Sequence, residues 1–273
     1  MRSFALRFVV AIAIAVLLVI LALPLVALLV RVSPGALWHY VRQPIVVEAL
    51  KLSLLTSVIA TIAVVVLGVP VAYLLATHHF RGKRLVEVLV ELPIVLPPTV
   101  AGVGLLLAFG RAGIAGRILS AAGISIPFTT LAVVIAQLFV ATPYFIAAVV
   151  AGLREVEPRY RDVAMTLRAT PLHVFRRVLL PIALPSVLAG AAMSWARALG
   201  EFGATITFAG NLMGRTQTMP LAVYSALQTD LDSAVALAVL LILFSFAILA
   251  GLRFAPWGAA IGGKERNARG RRR

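Results

Sequence analysis

The sequence predicts an all-α membrane protein with six transmembrane helices. Three observations carry that prediction. Hydrophobic residues make up 62% of the chain and charged residues only 13%, too few to cover a soluble domain of 273 residues. Uncharged runs recur near the length of roughly 20 residues that a bilayer span requires. Lysine and arginine divide unevenly between alternate connections, as the positive-inside rule expects.

The spans follow in order. Phe8 to Val30 is uncharged over 23 residues and supplies the first. A signal peptide is the alternative reading, but the run is too long and no small-residue cleavage site stands out after it. Leu52 to Thr77 (26 residues) supplies the second span and Leu92 to Gly110 (19 residues) the third. Ile118 to Leu153 (36 residues) holds the fourth with an interfacial lead-in. Val178 to Gly214 is apolar apart from Arg197 and Glu201 and supplies the fifth; Ser233 to Leu252 (20 residues) supplies the sixth. With six spans both termini share a side. Eighteen of the 25 lysines and arginines fall on that side, six on the other, and Arg197 lies within a span. Both termini are therefore expected in the cytoplasm. The chain divides into a first span with its outer segment (1–44), a membrane domain (45–254) and a basic tail (255–273). Trp38 and Tyr40 in the outer segment suit a membrane interface. The tail, KERNARGRRR, directly follows a span, so anionic lipid rather than nucleic acid is its expected partner. Cysteine is absent, which excludes disulfide and thiol chemistry. His78 and His79 are adjacent and point apart on a helix, so neither a metal site nor a cofactor is expected.

The inner connection between spans 4 and 5, about 154–181, is the most informative. Pro158 suits the first turn of a helix. Tyr160, Val163, Ala164 and Leu167 then fall at i, i+3, i+4 and i+7 on one apolar face. Pro171 breaks that helix, and a second short helix places Leu172, Phe175 and Leu179 on one side. Such a pair either lies on the bilayer surface or docks into a groove of a cytoplasmic partner. A DNA-reading helix-turn-helix fits poorly between two spans.

This connection resembles the cytoplasmic loop of bacterial ABC importer permeases, with pattern E-A-A-x3-G-x9-I-x-L-P. Asp162, Val163, Ala164, Arg168, Val178, Leu180 and Pro181 stand at that spacing. Arg168 replaces the turn glycine, which often supplies a positive φ; a turn reshaped or carried by Pro171 is expected. The stretches LPIVLPPTVAGVGLLLAFGRAGIAG and SWARALGEFGATITFAGNLMGRTQTMPLAVYSALQTD are similar to the permeases of molybdate and tungstate importers, and sulfate permeases share the ALGEFG core. The resemblance implies the type I importer permease fold, a homodimer, a substrate-binding protein outside and a separate ABC ATPase inside. The ATPase would bind through Tyr160, Asp162, Val163, Ala164, Leu167, Arg168, Pro171, Val178, Leu180 and Pro181. The chain itself has no G-x4-G-K-[ST] loop to cradle phosphates, so it is expected to be a transport subunit and not an enzyme. A sulfate cargo is the alternative. A stand-alone secondary transporter would want intramembrane carboxylates, and only Glu201 qualifies.

Two anomalies interrupt the apolar pattern. Arg197 at a helix centre costs about 2.5–3.5 kcal/mol on insertion scales, and Glu201 one turn away offers a partner. Two readings are open: the pair neutralises itself and fixes packing, or it lines the path of a divalent anion. The second anomaly is LPIVLPPTVAG. Pro93, Pro97 and Pro98 must distort the third span, since each removes a backbone donor. Kinks in transporters flank pathways as often as they serve packing, and Thr99 beside them either satisfies a freed carbonyl or touches solute.

Overall fold

The computed structural model describes residues 2–254; the basic tail expected over 255–273 lies outside them. Among the described residues every element is helical. Five helical segments are long and apolar enough to cross a bilayer: Leu6–Arg31, Pro44–Thr77, Thr130–Arg154, Pro171–Leu199 and Leu231–Gly251. The sixth span is not one helix. It is the pair Lys83–Val95 and Pro98–Phe109, bent by 118° at Leu96–Pro97. The distortion expected of the third span, Leu92–Gly110, is thus a full break into two helices, the first of which already begins at Lys83. Pro97 and Pro98 stop the first half and start the second, where a missing N–H costs nothing.

The elements are α1 (Arg2–Arg31), α2 (Pro34–Val41), α3 (Pro44–Thr77), α4 (Lys83–Val95), α5 (Pro98–Phe109), α6 (Gly116–Ala121) and α7 (Thr130–Arg154), followed by α8 (Pro158–Thr166), α9 (Pro171–Val174), α10 (Leu180–Leu199), α11 (Gly203–Phe208), α12 (Met219–Leu227) and α13 (Leu231–Phe254). A π turn, Phe175–Leu179, joins α9 to α10, so the second short helix of the inner connection runs on into the span.

Helices α3, α7 and α10 form the packed centre. Small residues bring them close, as lipid-embedded helices require. Gly68 on α3 lies against α7, where a Cβ would come 2.7 Å from Phe145 Cδ1. Gly190 on α10 lies against Ala148 of α7 at 3.1 Å by the same measure. Buried hydroxyls then tie the trio: Trp195 Nε1 donates to Ser57 Oγ at 3.1 Å, and Ser194 Oγ donates to the Ala141 carbonyl at 3.2 Å. Two smaller clusters flank this core. One joins α5, the start of α7 and α11 through Leu105, Val133 and Phe208. The other joins α3, α12 and α13 through Val46, Met219 and Leu237. By contrast α1 is exposed around its circumference, as a lipid-facing helix is, and it meets α13 through Arg31 and Asp232 at 3.0 Å. Asp230 caps α13: its carboxylate accepts from the Ser233 hydroxyl and from the Ser233 and Asp232 backbone N–H groups, which holds it below the usual carboxylate range.

Candidate functional site

The ion pair foreseen between Arg197 and Glu201 sits at a helix break, not at a helix centre. Helix α10 ends at Leu199, and Gly200 and Gly203 bracket the interruption. Glycine is a poor helix residue, so a break falls there at the least cost. Arg197 occupies the last turn of α10, where a cation complements the helix dipole. Its Nη1 lies 2.6 Å from Glu201 Oε2. The other carboxylate oxygen, Oε1, accepts from the Ala204 backbone N–H at 2.7 Å. Glu201 is thus pinned from both sides, and its side chain is 1% exposed while that of Arg197 is 26% exposed. One carboxylate links the C-terminal end of α10 to the first turn of α11.

The proline anomaly lies at the same place. A Cβ on Gly203 would come 2.6 Å from Pro98 Cβ and 3.2 Å from the Thr99 nitrogen. A Cβ on Gly102 would come 2.7 Å from Thr207 Cβ and 2.8 Å from the Ala204 carbonyl oxygen. Helices α5 and α11 therefore touch backbone to backbone, through one glycine on each. Two interrupted helices meet, and the interruption in each is beside the contact. Opened backbone at membrane depth persists only where protein buries it or where it lines a water-filled cavity. Pro97, Pro98 and Thr99 remain exposed, so this junction has an outward face.

The inner connection divides into an inward and an outward set. Tyr160, Val163 and Leu167 are 44%, 60% and 78% exposed. Ala164, counted on the same outward stripe from periodicity, is half-buried and packs with Val178 and Leu180 against the central core that includes Val174 and Leu179. Asp162, Arg168, Pro171 and Pro181 are exposed. Phe175 packs at a tilt against Tyr73 of α3 with ring centroids 4.5 Å apart, which moors the connection to the bundle. Arg168 has φ +56°, in the left-handed region. The turn keeps the geometry a glycine would serve, and the arginine carries its strain. The reshaped turn anticipated from this substitution does not occur.

Sequence reasoning passed over Gln137. It is the one amide in the run Ile118 to Leu153, and that singularity was its signal. It lies fully buried on α7, with neither amide atom hydrogen-bonded within the described residues. Thr205 Oγ1 on α11 is likewise buried without a partner.

Comparison with known proteins places this architecture. Residues 65–254 match the family of the binding-protein-dependent transport system inner membrane component. The chain belongs to that family. As such it is a multi-pass membrane component of a transport system rather than an enzyme. The chain is 46% identical to the molybdenum transport system permease protein ModB of Mycobacterium tuberculosis, with 86% of this chain and 89% of that protein covered. It is 37% identical to the sulfate transport system permease protein CysT of Salmonella typhimurium, with 84% of each covered. Among solved structures it resembles a bacterial ABC transporter involved in import of the polysaccharide alginate, with TM-score 0.75 and 14% identity over 92% of this chain and 94% of that one. That likeness shows a shared permease fold.

Proposed function

We propose that this chain is the membrane permease subunit of an ATP-driven oxyanion importer, with molybdate and tungstate as cargo. The observation that carries the reading is the 46% identity to a molybdenum permease over most of both chains. A sulfate cargo is the second reading, favoured by the 37% identity to a sulfate permease. In this account two copies of the chain form the path. A substrate-binding protein delivers the anion outside. A separate ABC ATPase docks inside on the connection 154–181, where Tyr160, Val163 and Leu167 offer apolar surface that nothing among the described residues covers. The charge asymmetry supports cytoplasmic termini, with the loops before α2 and α7 outside. The junction of α5 with α11 is the moving part of the path. Glu201 holds the two halves of the broken fifth span together, and the exposed edge of Arg197 faces the route of the anion.

The test is reconstitution. The permease, its ATPase and its binding protein are placed in proteoliposomes, and uptake of molybdate and of sulfate is followed with and without ATP. ATP-dependent molybdate uptake that excess sulfate fails to suppress is the expected result. Uptake of sulfate alone selects the second reading, and uptake by the permease without ATPase removes both.

A further inference from the structure

At the end of α7 opposite the inner connection, the chain builds a cavity of about 510 Å³. The 25 residues of α7 separate the two places by about 37 Å at 1.5 Å per residue, roughly a bilayer thickness. Arg111 and Arg215 line the cavity together with Ser125, Phe128, Thr129 and Leu106. No carboxylate is among its lining residues. Within the described residues neither arginine takes part in an ion pair. Glu48 approaches the Arg215 loop, with its Oε2 3.3 Å from where a Cβ on Gly214 would be; it does not line the cavity.

The walls are fastened. Thr130 Oγ1 donates to the Arg215 carbonyl at 2.9 Å and ties that loop to the start of α7. The loop closes on itself, with Thr216 Oγ1 accepting from the Leu212 N–H at 2.9 Å. Thr129 caps α7, accepting from the Ala132 N–H and donating to the Ile126 carbonyl. Phe128 has φ +61°, a strained conformation for an aromatic residue, and its ring lies against Gly210, where a Cβ would come 3.0 Å away. Strain of this kind persists where the surroundings over-determine it, and it clusters at ligand sites. The N-terminal end of a long helix adds partial positive charge beside the two guanidinium groups.

We propose that this cavity is an outer reception site for a divalent tetrahedral oxyanion, gripped by Arg111 and Arg215. Guanidinium groups present paired N–H donors that match the oxygens of such an anion. The volume leaves room for an anion that keeps part of its water, each water taking about 30 Å³. A concave pocket lined by two arginines and the Ser125 hydroxyl fits a small anion better than a flat protein surface. The inference rests on the oxyanion importer reading and adds a place on the permease where the anion pauses after delivery.

The permease–ATPase complex in nanodiscs, without binding protein, is equilibrated by dialysis with radiolabelled molybdate and, separately, sulfate. Saturable binding is expected. Arg111→Gln and Arg215→Gln should each weaken it at least tenfold, and Arg111→Lys less than Arg111→Gln. Arg117→Gln should leave it unchanged, since Arg117 does not line the cavity and its Nε bonds the Ala112 carbonyl. Unchanged size-exclusion profiles and basal ATP hydrolysis establish that the variants fold. No saturable binding of either anion, or binding insensitive to both glutamine variants, overturns the proposal. So does normal anion binding with lost affinity for anion-free binding protein, which assigns the arginines to partner docking. Tighter sulfate than molybdate binding keeps the site and changes only the cargo, whereas failure of ATP-driven uptake in proteoliposomes bears on the transport reading alone.

Discussion

Removing either partner of the Arg197–Glu201 pair should harm the protein in different degrees. Arg197→Met leaves a carboxylate that is 1% exposed with one remaining donor, the Ala204 N–H. Breaking a buried pair in this way costs about 3–5 kcal/mol. Arg197 is a quarter exposed, which allows some water to replace it, so the lower half of that range applies, about 3 kcal/mol. Glu201→Gln keeps an amide oxygen able to accept from Ala204 and leaves behind an arginine that reaches solvent, so its cost is smaller, about 1–2 kcal/mol. The double variant carries no buried charge, and its loss should be no greater than that of Arg197→Met alone. The coupling energy is then about 1–2 kcal/mol. Unfolding of the purified permease in SDS, followed by circular dichroism, measures all four proteins. Effects that add within about 0.5 kcal/mol would show two independent residues and refute the pinning argument.

Three further outcomes are expected. Val163→Asp on the exposed face of α8 and Leu167→Asp just past its C-terminal end should each abolish co-purification of the ATPase while the subunit itself inserts and unfolds normally; each apolar side chain is worth about 1.5–3 kcal/mol when a partner buries it. Ala164→Asp should instead lower the stability of the isolated subunit, because that residue faces the core; equal stability of all three variants would contradict this division. Arg168→Gly should stabilise the connection, since an L-residue in the left-handed region costs about 1–2 kcal/mol and glycine returns part of that as chain entropy, for a net gain of about 0.5–1 kcal/mol, read as slower proteolysis of the loop. Gly203→Ala should cost about 1–3 kcal/mol in the same SDS titration, because its Cβ would stand 2.6 Å from Pro98 Cβ where carbon atoms prefer about 3.5–4.0 Å; a neutral result would mean that α5 and α11 do not touch as described.

The spans were legible because apolar length is a local property. The helices Leu6–Arg31 and Pro44–Thr77 contain the uncharged runs Phe8–Val30 and Leu52–Thr77. The bend of 118° was legible in kind, from three prolines within six residues, but not in size or direction. Those depend on which helix the second half lies against, and the contact of Gly102 with Ala204 and Thr207 joins residues a hundred positions apart. Periodicity misplaced Ala164 for a related reason. Its neighbour Val163 lies about 100° away round the helix, so a single four-residue stripe contains both an outer edge and an inner one. Only the core beneath α8 decides which edge is which.

The ion pair shows where local reading stops. Spacing of four residues was enough to pair Arg197 with Glu201, and the cost of an unpaired charge was enough to demand a partner. The partner of the second carboxylate oxygen was out of reach. In an unbroken helix the Ala204 N–H would be bound to the carbonyl of Gly200, one turn back, and no donor would be left for Glu201. The donor exists because α10 stops at Leu199 and α11 starts afresh at Gly203, leaving its first N–H groups without backbone partners. Gly200 and Gly203 are small residues, and small residues let helices approach. Gly203 does that, against Pro98, and Gly200 stands where α10 ends. The carboxylate and the break therefore depend on each other: the break supplies the donor that makes a buried Glu201 tolerable, and Glu201 caps the new helix that makes the break tolerable.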